Sequence, residues 1–134
     1  MAAAFARVSA EGRCPCGSGE TFSGCCGTAL GGVPPATAEA LMRSRYTAFV
    51  VGDAAYLAAS WHPGTRPDDI PLDPGVTWRG LDILDVRDGG AGDTRGTVEF
   101  RARWRAGGQD GALTERSRFV KQSDRWWYLD GKVK

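Results

Sequence analysis

All four cysteines of this chain, Cys14, Cys16, Cys25 and Cys26, fall within one short stretch of the 134 residues, and no later cysteine exists to pair with them. Such a cluster dictates the local fold, because two short-spaced pairs must close one small loop. Zinc takes four sulfur or nitrogen ligands at tetrahedral corners, commonly supplied as two such pairs. The intervening Gly17-Ser18-Gly19 can adopt the positive φ values of a tight turn around an ion, and its N–H groups can donate to the sulfurs. Two disulfides are the competing arrangement, with iron–sulfur or redox use behind it. Zinc leads for two reasons. Adjacent Cys25 and Cys26 pair awkwardly with each other, and the first ten residues lack the apolar core of a secretory signal, so a reducing cytoplasm is expected. Four thiolates close the coordination shell, so one structural Zn2+ is expected rather than a catalytic ion with an open position.

The remaining length suffices for one further core. Two units are expected: a knuckle with a disordered N-terminal arm over residues 1–31, and a second domain over 32–134. A net charge of +1 offers no footprint for nucleic acid, and no long apolar segment suggests a membrane. Charge is unevenly placed, however. Residues 66–93 carry three arginines against seven aspartates, while 95–121 carry six arginines and one lysine against three acids. Neighbouring strands with complementary outer faces explain this better than a partner site does.

Periodicity divides the second unit. Gly31-Gly32-Val33-Pro34-Pro35 breaks the chain after the knuckle. Thr37 is placed to cap a helix whose apolar face is Leu41, Met42, Tyr46, Phe49 and Val50, with Gly52 closing it. Asp53 can cap a second helix running through Trp61, stopped by His62-Pro63-Gly64. A short helical turn is expected near residues 67–70. From residue 76 the pattern turns to β: an imperfect strand with a bulge at Gly80, then Val98, Phe100, Ala102 and Trp104 alternating with charged residues. Gly107-Gly108 and Asp110-Gly111 are expected to turn the chain into a strand over 112–121, and Ser123-Asp124 into 125–130, completing a meander. The fold class is α+β, with two to three helices packed on an antiparallel sheet of about four strands.

Cys14-Pro15-Cys16-Gly17-Ser18-Gly19, five residues, then Cys25-Cys26-Gly27 resembles the SEC-C motif, named for the zinc element of the SecA translocase and associated there with binding SecB and the ribosome. In this chain Glu20-Thr21-Phe22-Ser23 fills the gap between the pairs with no basic residue. Leu41-Met42-Arg43-Ser44-Arg45-Tyr46-Thr47-Ala48-Phe49, Trp61-His62-Pro63, Glu115-Arg116-Ser117-Arg118-Phe119 and Trp127-Tyr128 followed by Asp130-Gly131 resemble the YchJ family. That resemblance implies a nuclear transport factor 2-like cone, with helices packed into a strongly curved sheet, and no established reaction.

A cone encloses a pocket, and its chemistry must be argued from side chains rather than from the fold. His62 is the one histidine, and Glu115 shares a strand face with Leu113, Ser117 and Phe119. His62 and Glu115 are therefore the catalytic candidates for acid–base chemistry of an isomerase or hydrolase type. Arg45, Tyr46, Trp61 and Ser117 are the pocket-lining candidates, with Arg45, Arg43 or Tyr46 expected to partner Glu115. The leading functional expectation is nonetheless a non-enzymatic binding or adaptor protein. Its expected partners are a protein at the knuckle, a small ligand in the cone and a second copy across the open sheet face.

Overall fold

The computed structural model describes residues 5–134. Three helices, α1 (Cys26–Leu30), α2 (Ala38–Val51) and α3 (Ala54–Ser60), precede four strands: β1 (Thr77–Asp88), β2 (Arg95–Ala106), β3 (Gln109–Gln122) and β4 (Arg125–Val133). The strands form one antiparallel meander in the order β1-β2-β3-β4.

Capping chemistry places the helices. Thr37 Oγ1 accepts from Ala40 N–H at 3.1 Å, Glu39 sits in the first turn of α2, and Gly52 ends that helix at φ 76°. The Asp53 carboxylate then accepts from Tyr56 N–H at 2.9 Å to start α3. This helix stops at Ser60, one residue short of expectation, because Trp61 turns extended and forms a parallel bridge with Tyr128. The expected helical turn near 67–70 is absent. Pro67 and Pro71 push the residues before them toward extended backbone, and the segment shows only bends. The third helix lies instead at 26–30, inside the knuckle.

Strand geometry follows side-chain size and turn chemistry. Val98, Phe100 and Ala102 are buried on the helix side of β2, while Arg101, Arg103 and Arg105 are exposed on the other. Register shifts at Trp78/Gly80 and Ile83/Asp85 bend β1, and a third lies at Arg118/Phe119 on β3. Two-residue turns close the later hairpins. Gly107 and Gly108 take φ 57° and 81°, and Ser123 and Asp124 adopt the same left-handed pair at 53° and 62° without glycine. On the outer face the acidic and basic stretches meet: Arg103 pairs with Asp82 at 3.2 Å and Arg116 with Asp85 at 3.4 Å, while Arg116 also pairs with Glu99 of the neighbouring strand at 2.8 Å.

Helix α2 lies at the centre, buried on nearly every side. Leu41, Met42 and Tyr46 join Val98, Phe100, Phe119 and Trp126 in one apolar cluster, which also contains Cys14, Cys16 and Cys26. The knuckle thus shares its core with the sheet. The expected disordered arm is corrected from Phe5 onward; its residues 1–4 lie outside the described residues. Ala6 N–H donates to Val50 O at 3.0 Å, and Ser23 N–H to Ala10 O at 2.9 Å. Gly52 leaves room for the Phe5 ring, which a side chain there would strike.

Candidate functional site

Short-range hydrogen bonds fold the knuckle. Cys14 N–H donates to Glu20 O at 2.9 Å, Gly17 N–H to Cys14 O at 3.2 Å and Cys25 N–H to Phe22 O at 3.1 Å. Gly17 and Gly19 take φ 80° and 88°, values that side-chain-bearing residues rarely adopt. These turns bring all four Sγ atoms within 4.8 Å of one another. The Cys16–Cys25 separation is 3.6 Å, close to the edge of about 3.8 Å that a sulfur tetrahedron with ~2.3 Å metal bonds requires. All four are free thiols, so the disulfide arrangement is not adopted. The donor set and spacing fit a tetrahedral metal ion.

Crowded sulfurs share protons. The hydrogen bond from Cys26 is the main cause that holds Cys16 down, at about 4, whereas its reciprocal effect and burial push Cys26 up. Burial likewise raises Cys25. Helix α2 supplies the surroundings: Thr47 Oγ1 lies 3.9 Å from Cys14 Sγ, and Arg43 donates to Cys16 O at 2.8 Å while its Nε pairs with Glu39 at 3.0 Å. Arg43 therefore serves the knuckle, not Glu115. An open groove beside Cys25 runs past Val33, Pro34 and Thr37.

The opposite face of α2 lines the cone. Met42, Arg45, Tyr46 and Phe49 face Phe100, Leu113, Glu115, Ser117 and Tyr128 across a cavity of about 290 Å³, with Trp61, Pro71 and Trp78 at its walls. All four pocket-lining candidates and Glu115 border this cavity. Two of their expected contacts differ. Glu115 Oε2 accepts from Ser117 Oγ at 2.7 Å and from Tyr128 OH at 3.3 Å, and among the described residues no arginine pairs with it. Arg45, only 3 % exposed, donates through NH1 to Leu57 O at 2.9 Å and Ser60 Oγ at 2.7 Å. Its guanidinium carbon sits 4.2 Å from the Tyr128 ring and 4.9 Å from that of Trp61. Burial lowers Arg45 to about 10, opposed chiefly by Tyr128, Tyr56 and Glu115. Burial, reinforced by the Glu115 charge, pushes the Tyr128 phenol up.

His62 does not join the site, which corrects the proposed dyad with Glu115. Successive side chains of an extended segment point to opposite sides, so while Trp61 faces the cone, His62 faces away. There its Nε2 meets Gln122 Oε1 at 2.8 Å, and its Nδ1 accepts from Gly64 N–H at 3.0 Å. Its ring packs edge-on against Trp127, outside the cavity. One site residue was missed by sequence reasoning. Gly131 lies against Glu115, where a Cβ would stand 2.5 Å from the Glu115 Cδ. Its signal was the glycine in the Asp130-Gly131 pair on a strand that otherwise favours side chains.

A family model described as "YchJ, middle NTF2-like domain" matches residues 37–131, from the cap of α2 to Gly131. The chain belongs to the YchJ family. It is similar to a UPF0225 protein of Streptomyces coelicolor, 56% identical over 120 residues, covering 89% of this chain and 94% of the relative. A UPF0225 protein of Chromobacterium violaceum is 45% identical, with 92% and 95% covered. Two solved structures of SEC-C motif containing proteins share the architecture. The solution structure from Rhodopseudomonas palustris has a TM-score of 0.79 and 37% identity, covering 90% of this chain and 98% of that one. The crystal structure from Psychrobacter arcticus has a TM-score of 0.72 and 26% identity, covering 90% and 82%. This chain therefore combines a nuclear transport factor 2-like cone with a cysteine cluster at its N-terminal side. Among the described residues no helix is long and apolar enough to cross a membrane.

Proposed function

We propose that this YchJ-family protein is a non-enzymatic binding protein of the reducing cytoplasm, in which one structural zinc ion anchors the knuckle and the cone receives a small ligand. The observation that carries the reading is the double use of α2. Arg43 and Thr47 on one face contact the cysteine cluster, while Met42, Arg45, Tyr46 and Phe49 on the other border a cavity left open rather than filled. Zinc is favoured over other ions because four thiolates in a tetrahedral set suit it and leave no open position. The cavity holds the space of about ten waters, enough for a small organic molecule. The groove beside Cys25 is the surface available to a protein partner.

Two measurements test this. Elemental analysis of the purified chain should find one zinc per molecule. Titration of the zinc-loaded protein with 2-phenylethanol, a neutral apolar probe, should shift NMR resonances of Phe49, Trp78 and Leu113. An absence of shifts at millimolar probe would refute a ligand-binding cone. A second reading, acid–base catalysis, draws support from the Glu115 carboxylate facing an apolar cavity beside the Tyr128 phenol. Deuterium uptake into acetophenone in D2O, lost in Glu115→Gln, would favour it over plain binding.

A further inference from the structure

The two charged groups of the cone are unlike in how far they are already engaged. Arg45 is a wall element. Its guanidinium lies against the Trp61 and Tyr128 rings, and NH1 ties down Leu57 O and Ser60 Oγ in the last turn of α3. A last-turn carbonyl lacks an intrahelical donor and carries the negative end of the helix, so the cation satisfies it. Almost none of Arg45 is accessible from the cavity.

Glu115 is the reverse case. It is only partly buried, its Oε2 is oriented by two neutral hydroxyl donors, and no Lys or Arg nitrogen lies within 4.0 Å of it among the described residues. It borders a cavity whose walls include Phe49, Trp78, Phe100, Tyr46 and Leu113, with the engaged Arg45 as the one cation in the lining. A carboxylate in such surroundings calls for a cationic partner, since an unpaired charge in an apolar site is costly. Aromatic faces around it attract the same kind of group through their quadrupoles.

Resting on the ligand-binding reading above, the geometry points to a small apolar amine as the ligand of the cone, its ammonium on Glu115 and its hydrocarbon body among the aromatic walls. Ser117 and Tyr128 hold the carboxylate in position for it, and Gly131 leaves the space in which the carboxylate lies. An anionic ligand of the same shape meets the Glu115 charge first and finds Arg45 covered.

Three probes of one shape separate the possibilities: phenethylamine, 2-phenylethanol and phenylacetate, titrated calorimetrically into the zinc-loaded full chain. The amine should bind about tenfold more tightly than the alcohol, as one charge-assisted hydrogen bond would produce, with phenylacetate weakest. Glu115→Gln, which retains an acceptor for Ser117 and Tyr128, should bring amine and alcohol level. If the alcohol binds and the amine binds no better, or phenylacetate binds best, the amine assignment is wrong while the cone remains a binding site. If none of the three binds, the ligand-binding reading itself falls. The wild-type probe series decides the matter even if the variant misfolds.

Discussion

Gly131 offers the sharpest test of how the cone is built. Its backbone is outside the left-handed region, so Gly131→Ala brings no conformational penalty. What it brings is a methyl group 2.5 Å from Glu115 Cδ, closer than non-bonded carbons can approach. The rigid partner is the strand and the movable one is the carboxylate, which must swing away from Ser117 and Tyr128. Ser117 is 0 % exposed, so its hydroxyl loses its acceptor without gaining water. A buried donor left alone costs about 1–3 kcal/mol, and the better strand fit of alanine returns roughly 0.5–1 kcal/mol. The net loss in the wild-type background is therefore at most about 2.5 kcal/mol. Urea unfolding with an unchanged m-value would measure it. The decisive assay is a double-mutant cycle, because in Glu115→Ala the obstructing carboxylate is gone and adding Gly131→Ala should cost nothing. An equal effect of Gly131→Ala in both backgrounds would refute the argument.

Three further outcomes are expected. Stripping the metal, or replacing Cys26 by Ser, should lower the stability of the whole chain, because Cys14, Cys16 and Cys26 belong to the core that holds α2 and the sheet. At a thousandfold excess of ion over its Kd the linkage is about 4 kcal/mol. Circular dichroism and tryptophan fluorescence should report one shared transition, and a cone that keeps its midpoint without metal would contradict this. His62→Ala should leave phenethylamine affinity in the cone unchanged, since its ring bonds lie with Gln122 and Gly64; a large loss of affinity would return His62 to the site. Finally, Arg118 holds the Asp130 carboxyl below its ordinary value through a paired hydrogen bond. A lowered folded pKa contributes stability above the unfolded value, and this is lost as pH falls below about 4. NMR titration should find Asp130 moving back toward the ordinary value in Arg118→Gln, and no movement would rule out the pair as the cause.

Much of this protein was legible residue by residue wherever the determining interaction is short in sequence. The cysteine pairs meet through turns of a few residues. The caps at Thr37 and Asp53 bond N–H groups three positions on, and Gly52 stops α2 by its own backbone freedom. The alternation of Val98, Phe100 and Ala102 against Arg101 and Arg103 reports one buried face directly. Even the complementary charge of β1 and β2 could be seen as a property of adjacent strands. The helix at 26–30 escaped notice because its five residues carry no periodicity long enough to read.

What the tertiary structure alone decided are the meetings between distant segments. Trp61 bridges to Tyr128, and that single contact turns Trp61 into the cone and His62 out of it. Glu115 lines the cavity from β3, and its partners depend on which side chains of β3 and β4 come to lie beside it. Arg45, an expected partner of Glu115, instead caps the end of α3 beside two rings. The N-terminal segment reads as unpatterned sequence, and only its hydrogen bond to the end of α2 shows it docked. Periodicity and capping are encoded over a few residues, so sequence suffices for them. Which charge faces which, and which side of an extended pair looks inward, is set by packing across more than sixty residues of chain.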